Sequence, residues 1–303
     1  MKFFKDISRN KALLSMTLPV LIYFALFNYM PMFGLVMAFK KINLSKGVLK
    51  SPWNGISNFE FLFKTSDAWL ITRNTILYNL SFIIIGMCLA MCLAVLYDIL
   101  GRSRLNRVNQ SLSLFPHFIS WVVAGYFVYA LLSPDKGLVN QVVQRFGGSG
   151  IEWYGEKKYW PLILILCNVW KHIGYDSIIY YSNIKGFDVE LYEAARIDGA
   201  SWFQQIRYIT FPMLKSIVII LGIIKVGSIF YSDFGLFYLI PKNSGPLYSV
   251  TSTIDTYMYN GLMGGGNLGM TAATGFYQSI VGFLLVLAVN GIVRKISPED
   301  AMF

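Results

Sequence analysis

The sequence predicts an all-α, polytopic membrane protein of about six transmembrane helices, and three observations carry that prediction. Of 303 residues, 55% are hydrophobic and only 14% are charged, with a mean hydropathy of +0.52, whereas soluble domains carry about 25% charged residues. Residues 12–39, 74–97, 108–134 and 270–293 contain no Lys, Arg, Asp or Glu, and a bilayer core needs about 20 apolar residues per helix. Two further runs, 159–184 and 212–240, have the same length and carry internal charges. A chain of this size cannot bury six such helices within itself, which excludes a large soluble core.

The first span follows Lys2, Lys5, Arg9 and Lys11. That basic start resembles a signal-peptide n-region, but the apolar run is too long and shows no small-x-small cleavage site. It reads as an uncleaved helix entering from the cytoplasm. With the N-terminus inside, 1–11, 98–112, 185–215 and 294–303 become cytoplasmic and hold 13 Lys and Arg in 67 residues. The opposite loops, 40–75, 133–159 and 236–270, hold 11 in 98 residues. The bias follows the positive-inside rule, with Lys40, Lys41, Lys46 and Lys50 running against it. The net charge of +10 therefore reads as loop bias, not as a nucleic-acid surface. In the first outer loop, "SPWNGISNFEFLF" (51–63) supplies aromatic rings suited to the membrane interface. In the last, "PKNSGP" and "MGGGNLGM" punctuate short helical or irregular structure. Cys88, Cys92 and Cys167 lie within spans and read as small packing residues. They form no ligand cluster with His117 and His172, so no metal site is expected. No repeat or linker divides the chain, so 1–303 is read as one integral membrane domain.

A charged cassette at 187–211 interrupts the apolar pattern between the fourth and fifth spans. Its core runs "ELYEAARIDGASWFQQIRYITFP" over 190–212. Gly186 ends the fourth span, Asp188 can cap a new helix, and Glu190 sits in its first turn, where the helix dipole favours negative charge. Asp198-Gly199 supplies a turn, because glycine reaches positive φ without steric cost. Ser201 followed three residues later by Gln204 is a capping box opening a second helix, and Pro212 marks the start of the next span. The residues alone leave open whether this hairpin lies on the headgroups or docks a partner.

"EAARIDGASWFQQIRYITFP" resembles the EAA loop of ABC importer permeases. Glu193, Ala194, Ala195, Asp198, Gly199, Ala200, Ile206 and Pro212 stand where that pattern places them, while Ser216 replaces a second proline common among relatives. "LIYFALFNYMPMFGLVMAFK", "LFPHFISWVVAG", "DFGLFY", "TIDTYMY" and "GFYQSIVGFLLVLAVN" extend the resemblance to the carbohydrate-importer permeases, in the LplB-like branch associated with complex oligosaccharides. The resemblance implies a type I ABC importer permease (MetI-like) fold in a bacterial plasma membrane, with both termini cytoplasmic. It implies a coupling helix docking on a cytoplasmic ABC ATPase dimer, Glu193 pairing with a basic residue there, Ala194 and Ala195 permitting close approach, and Gly199 setting the angle between helices. It further implies a second, different permease forming a heterodimer, an extracytoplasmic solute-binding protein and an oligosaccharide substrate. No cofactor is expected in this chain, ATP-Mg being bound by the partner ATPase.

Charges within spans are functional suspects, here Lys171, Asp176, Lys225 and Asp233. Lys171 and Asp176 are five apart and so face different ways, whereas His172 and Asp176 share a face. Sugars are bound by aromatic faces and hydrogen-bonding groups, which selects Trp121, Tyr175, Asp176, Asp233, Tyr277 and Gln278 as pathway candidates. Interhelical pairing is the competing role for each. A membrane enzyme would need a nucleophile-base pair or carboxylate-histidine cluster. The chain offers two histidines without matching spacing and no P-loop, so it is expected not to be an enzyme. A secondary transporter or channel for a small polar solute is the alternative, and it gives the cassette no purpose.

Overall fold

The apolar runs become four unbroken spans and two bent helix pairs in the computed structural model, which describes residues 11–101, 103–264 and 266–296. Helix α1 (Lys11–Phe24) continues through a π turn and a tight 3-10 stretch, giving a span over Ser15–Phe39. Helix α2 covers Ser66–Leu100, and α3 (Arg104–Phe118) is followed by α4 (Trp121–Leu132). Helix α5 (Trp160–Lys185) leads to the short helices α6 (Val189–Ile197) and α7 (Trp202–Gln205). Helix α8 (Lys215–Gly227), α9 (Ile254–Met263) and α10 (Leu268–Ile296) complete the set. Among the described residues no strand forms beyond one isolated bridge, Lys40 to Trp53.

Two spans depart from the expected outlines. The run 108–134 is two helices meeting at 101°. Pro116 removes one backbone donor from the last turn of α3, and the Ser120 side chain accepts from Val123 N, restarting the helix in a new direction. The run expected at 212–240 ends as a helix at Gly227. Long-range side-chain bonds hold the chain non-helical from there to Asp233, before a π turn at Gly235–Leu239. At its other end α8 bends by 53° from Trp202–Met213, so the break falls at Leu214, just past the expected Pro212.

The fold comprises two packed units. In the first, residues 11–65 pack with Met258–Tyr277. The rings of Phe39, Phe59 and Phe276 meet at centroid distances of 5.3–5.8 Å, and Asn58 Nδ2 donates to Ala38 O and Lys40 O. Gly269 belongs here because a Cβ would lie 2.6 Å from the Asn58 amide nitrogen. The second unit comprises Ser66–Tyr257 and, of the described C-terminal residues, 278–296. Its two ends are marked by separate clusters. One joins Tyr78, Ala124, Trp160, Leu164, Phe237 and Leu247. The other joins Ala90, Ala94, Tyr180, Ile184 and Leu214. Helices α3 and α5 cross so closely that a Cβ on Gly174 would overlap the Ser113 backbone. Lys185 Nζ pairs with Asp98 Oδ1 at 2.6 Å, tying the C-terminal ends of α5 and α2 together where the cassette emerges.

Candidate functional site

Where α8 stops, the second unit has a half-open cavity of about 230 Å³. Asn79 and Phe82 of α2, Asn168, His172 and Asp176 of α5, Lys225 of α8, and the non-helical Tyr231 and Asp233 line it. Lys225 Nζ and Asp176 Oδ2 are 2.8 Å apart, the two side chains being 34% and 15% exposed. A pair this sheltered tolerates loss of one partner poorly, because the other charge is left uncompensated. Asp233 is held on both oxygens. Trp121 Nε1 donates to Oδ2 at 2.6 Å, and the backbone N–H groups of Gly235 and Leu236 donate to Oδ1.

The non-helical segment before Asp233 leaves backbone groups that a membrane interior does not satisfy with water, and side chains from three helices take them. Asn79 Nδ2 donates to Ile229 O (2.8 Å) and Tyr231 O (3.1 Å). Gln278 Nε2 donates to Phe230 O at 2.7 Å. Asp255 Oδ2 accepts from both Ser232 N and Ser232 Oγ at 2.7 Å, and its carboxylate also accepts from Gln278 Nε2. The cavity wall is therefore a peptide segment clamped from outside.

The pathway candidates separate accordingly. Asp176 and Asp233 line the cavity. Trp121 stands behind it, bonded to Asp233. Tyr175 stacks on His117 at 4.5 Å with ring planes 10° apart. Gln278 is buried and its amide is spent on the clamp. Tyr277 falls in the first unit. Lys171 turns away from Asp176, as helix arithmetic requires, and donates to Pro116 O, His117 O and Ile119 O at the α3–α4 break, with its amino group 5.1 Å from the Trp121 ring centroid. Asn79, Asn168, Ser232 and Asp255 were not singled out in the sequence. Asparagines within apolar runs, Asn79 in 74–97 and Asn168 in 159–184, are the available signal, since an amide in a span needs a partner.

The cassette is built from local bonds. Asp188 Oδ1 accepts from Glu190 N at 3.0 Å to open α6. Gly199 then turns the chain at φ +78°, with open space where a Cβ would stand. Ser201 and Gln204 close the capping box that starts α7. Tyr192 and Thr210 hydroxyls meet at 3.0 Å and close the hairpin on itself. Ile206 packs on the Leu214 cluster and roots the hairpin in the bundle. Glu193, Ala194 and Asp198 face outward, as does Pro212, and Ala195 is half-buried. Ile197, Trp202 and Phe203 are exposed apolar groups on the same projection.

Several membrane spans, a clamped break beside a polar cavity, and a capped hairpin projecting from one end define a multi-pass transport permease. The chain belongs to the family described as the inner membrane component of binding-protein-dependent transport systems, whose model matches residues 82–298. It is 33% identical over 96% of its length to the polygalacturonan/rhamnogalacturonan transport system permease protein YteP of Bacillus subtilis (strain 168), covering 90% of that protein. It is 29% identical to protein LplB of the same organism, over 97% of this chain and 92% of that one. A solved bacterial alginate ABC transporter, in complex with an alginate pentasaccharide-bound periplasmic protein, contains a chain that superposes with a TM-score of 0.87. The two are 30% identical, over 98% of this chain and 99% of that one. The fold is that of an ABC importer permease, as the resemblance implied.

Proposed function

We propose that this chain is one half of the translocation pathway of an ATP-driven importer for oligosaccharides, set in a bacterial plasma membrane with both termini cytoplasmic. The observation that carries the reading is the cassette. A hairpin with its own caps, an outward Glu193-Ala194 edge and an exposed Ile197-Trp202-Phe203 surface has no folding role that requires those groups to face solvent. A cytoplasmic ABC ATPase dimer is the partner for that surface, and ATP-Mg resides there, not on this chain. A second, different permease completes the pathway, and an extracytoplasmic binding protein delivers the sugar. The polysaccharide-handling relatives and the polar cavity at Asp176, Lys225 and Asp233 support the substrate class. The pathway alternates its access as the ATPase moves the hairpin as a rigid body.

The test is affinity purification of the chain from its native membrane in mild detergent, with mass spectrometry of the co-purifying proteins. Recovery of an ATPase and a second permease is expected. Repeated recovery of the chain alone would overturn the importer reading in favour of a channel or secondary transporter.

A further inference from the structure

A second cavity, of about 250 Å³, lies between α4 and the Gly235–Leu239 turn. It sits at the end of the bundle opposite the cassette. The cassette follows the Lys185–Asp98 end, whereas this groove runs along α4 from Val122 to Tyr129, alongside the cluster that contains Trp160 and Phe237. Its floor is Gly125, where a Cβ would stand 3.2 Å from Leu239 O. Its walls are the tyrosines Tyr126, Tyr129 and Tyr238, and its rim is Lys242 and Asn243. Tyr126 is 69% exposed. Tyr129 is braced by Tyr154 at 5.6 Å, and Tyr238 by Phe234, stacked at 4.9 Å.

Two features mark the rim as built. Lys242 and Asn243 both have positive φ, 55° and 48°, and among the described residues they are the only non-glycine residues that do. Left-handed backbone at two successive L-residues is unfavourable and clusters at functional positions. Here backbone bonds from Lys242 N to Leu239 O and Asn243 N to Tyr238 O hold it. That backbone presents the Lys242 ammonium 3.7 Å from the centroid of the Tyr129 ring. No acidic residue lines the groove, and among the described residues Lys242 joins no ion pair. The groove thus combines flat aromatic faces with a fixed, unneutralised cation. Aromatic faces take the C–H face of a sugar ring, and an ammonium takes a carboxylate. The volume lies below the roughly 300–1,000 Å³ typical of sites that enclose a drug-sized ligand, which suits one ring with its neighbours left outside.

We propose that this groove is a subsite for one carboxylate-bearing sugar ring of the incoming oligosaccharide, with Tyr126 and Tyr238 holding the ring and Lys242, seated on the Tyr129 face, selecting its charge. The proposal rests on the oligosaccharide-importer reading and adds to it the class of acidic sugars. It is tested by isothermal titration into the complete transporter in phosphatidylcholine nanodiscs, without binding protein. The probes are trigalacturonate and its carboxyl-reduced trisaccharide, which share ring stereochemistry and linkage and differ at C6, carboxylate against neutral hydroxymethyl. The wild type is expected to prefer the acidic sugar. Lys242→Met should lower that preference about tenfold, the scale of one charge-assisted hydrogen bond, and Lys242→Arg should restore most of it. An unchanged preference in Lys242→Met, or no binding of either sugar to the wild type, overturns the subsite. So does an effect seen only with added phosphatidylglycerol and equal for both sugars, which would assign Lys242 to a lipid phosphate. A transporter whose ATPase responds to oligosaccharide but shows no charge preference overturns the subsite alone. A chain that purifies without an ATPase overturns the importer reading beneath it.

Discussion

The cassette and the cavity wall are both departures from plain membrane helix, and opposite physics maintains them. The bonds that shape the cassette lie within it: Asp188 to Glu190, Ser201 to Gln204, the Gly199 turn, and Tyr192 to Thr210 across the hairpin. The cavity wall at 229–232 is shaped by residues of other helices, from Asp255, 23 positions from Ser232, to Asn79, 150 positions before Ile229. A hairpin closed by its own caps can present a surface without disturbing the bundle. A wall clamped by distant side chains responds to movement of any helix that carries a clamp. This contrast agrees with the docking role proposed for one region and gives the other its conformational sensitivity.

The strongest challenge to this contrast is Gly174→Val. A side chain there would overlap the Ser113 backbone at the α3–α5 crossing, costing at least about 3 kcal/mol of overpacking. Loss of monodisperse protein in detergent size-exclusion chromatography is expected. A normal elution profile would show the crossing to be looser than described. Next in size is Asp255→Ala, which strands Ser232 N–H and one role of Gln278, while Ser232 Oγ keeps Thr253 Oγ1 as acceptor. Unsatisfied buried groups cost about 1–3 kcal/mol each, so thermal stability and uptake should fall together. Asp255→Asn, which keeps an acceptor, should recover part of both, and equal damage from the two variants would point to charge instead of clamping. The smallest effect on stability is expected for Gly199→Val. Its Cβ meets no atom, so only the backbone penalty of about 1–2 kcal/mol applies. Uptake should nonetheless fall at least about tenfold, as when a positioning element is displaced, while thermal stability changes little. Parallel loss of both would place Gly199 in the fold instead of at the partner surface.

The same contrast explains what was legible in the sequence. Asp188, Gly199 and the Ser201–Gln204 box were readable because a cap or turn is decided within four residues. The spans were readable from length and hydropathy, and the opposite facing of Lys171 and Asp176 from helical periodicity. The break at Ile119–Ser120 was not, because an apolar run reads the same whether straight or bent and Pro116 is tolerated in membrane helices. Nor was the end of α8 at Gly227, since the partners that replace its helical bonds, Asn79, Asp255 and Gln278, lie on other helices. Asp176 and Lys225 were both flagged as charges, but only the fold pairs them.

The lysine at the α3–α4 bend has a consequence for biogenesis. Its amino group, with three donors, satisfies carbonyls at His117 and Ile119 at the corner and adds to the Ile119 N–H on Pro116 O, where each unsatisfied group in hydrocarbon costs several kcal/mol. A ribosome delivers Ile119 to the membrane 52 residues before Lys171. The third span therefore enters the bilayer without the group that stabilises its corner. Its final shape is set only when the next span arrives, so these two segments mature as a single insertion unit.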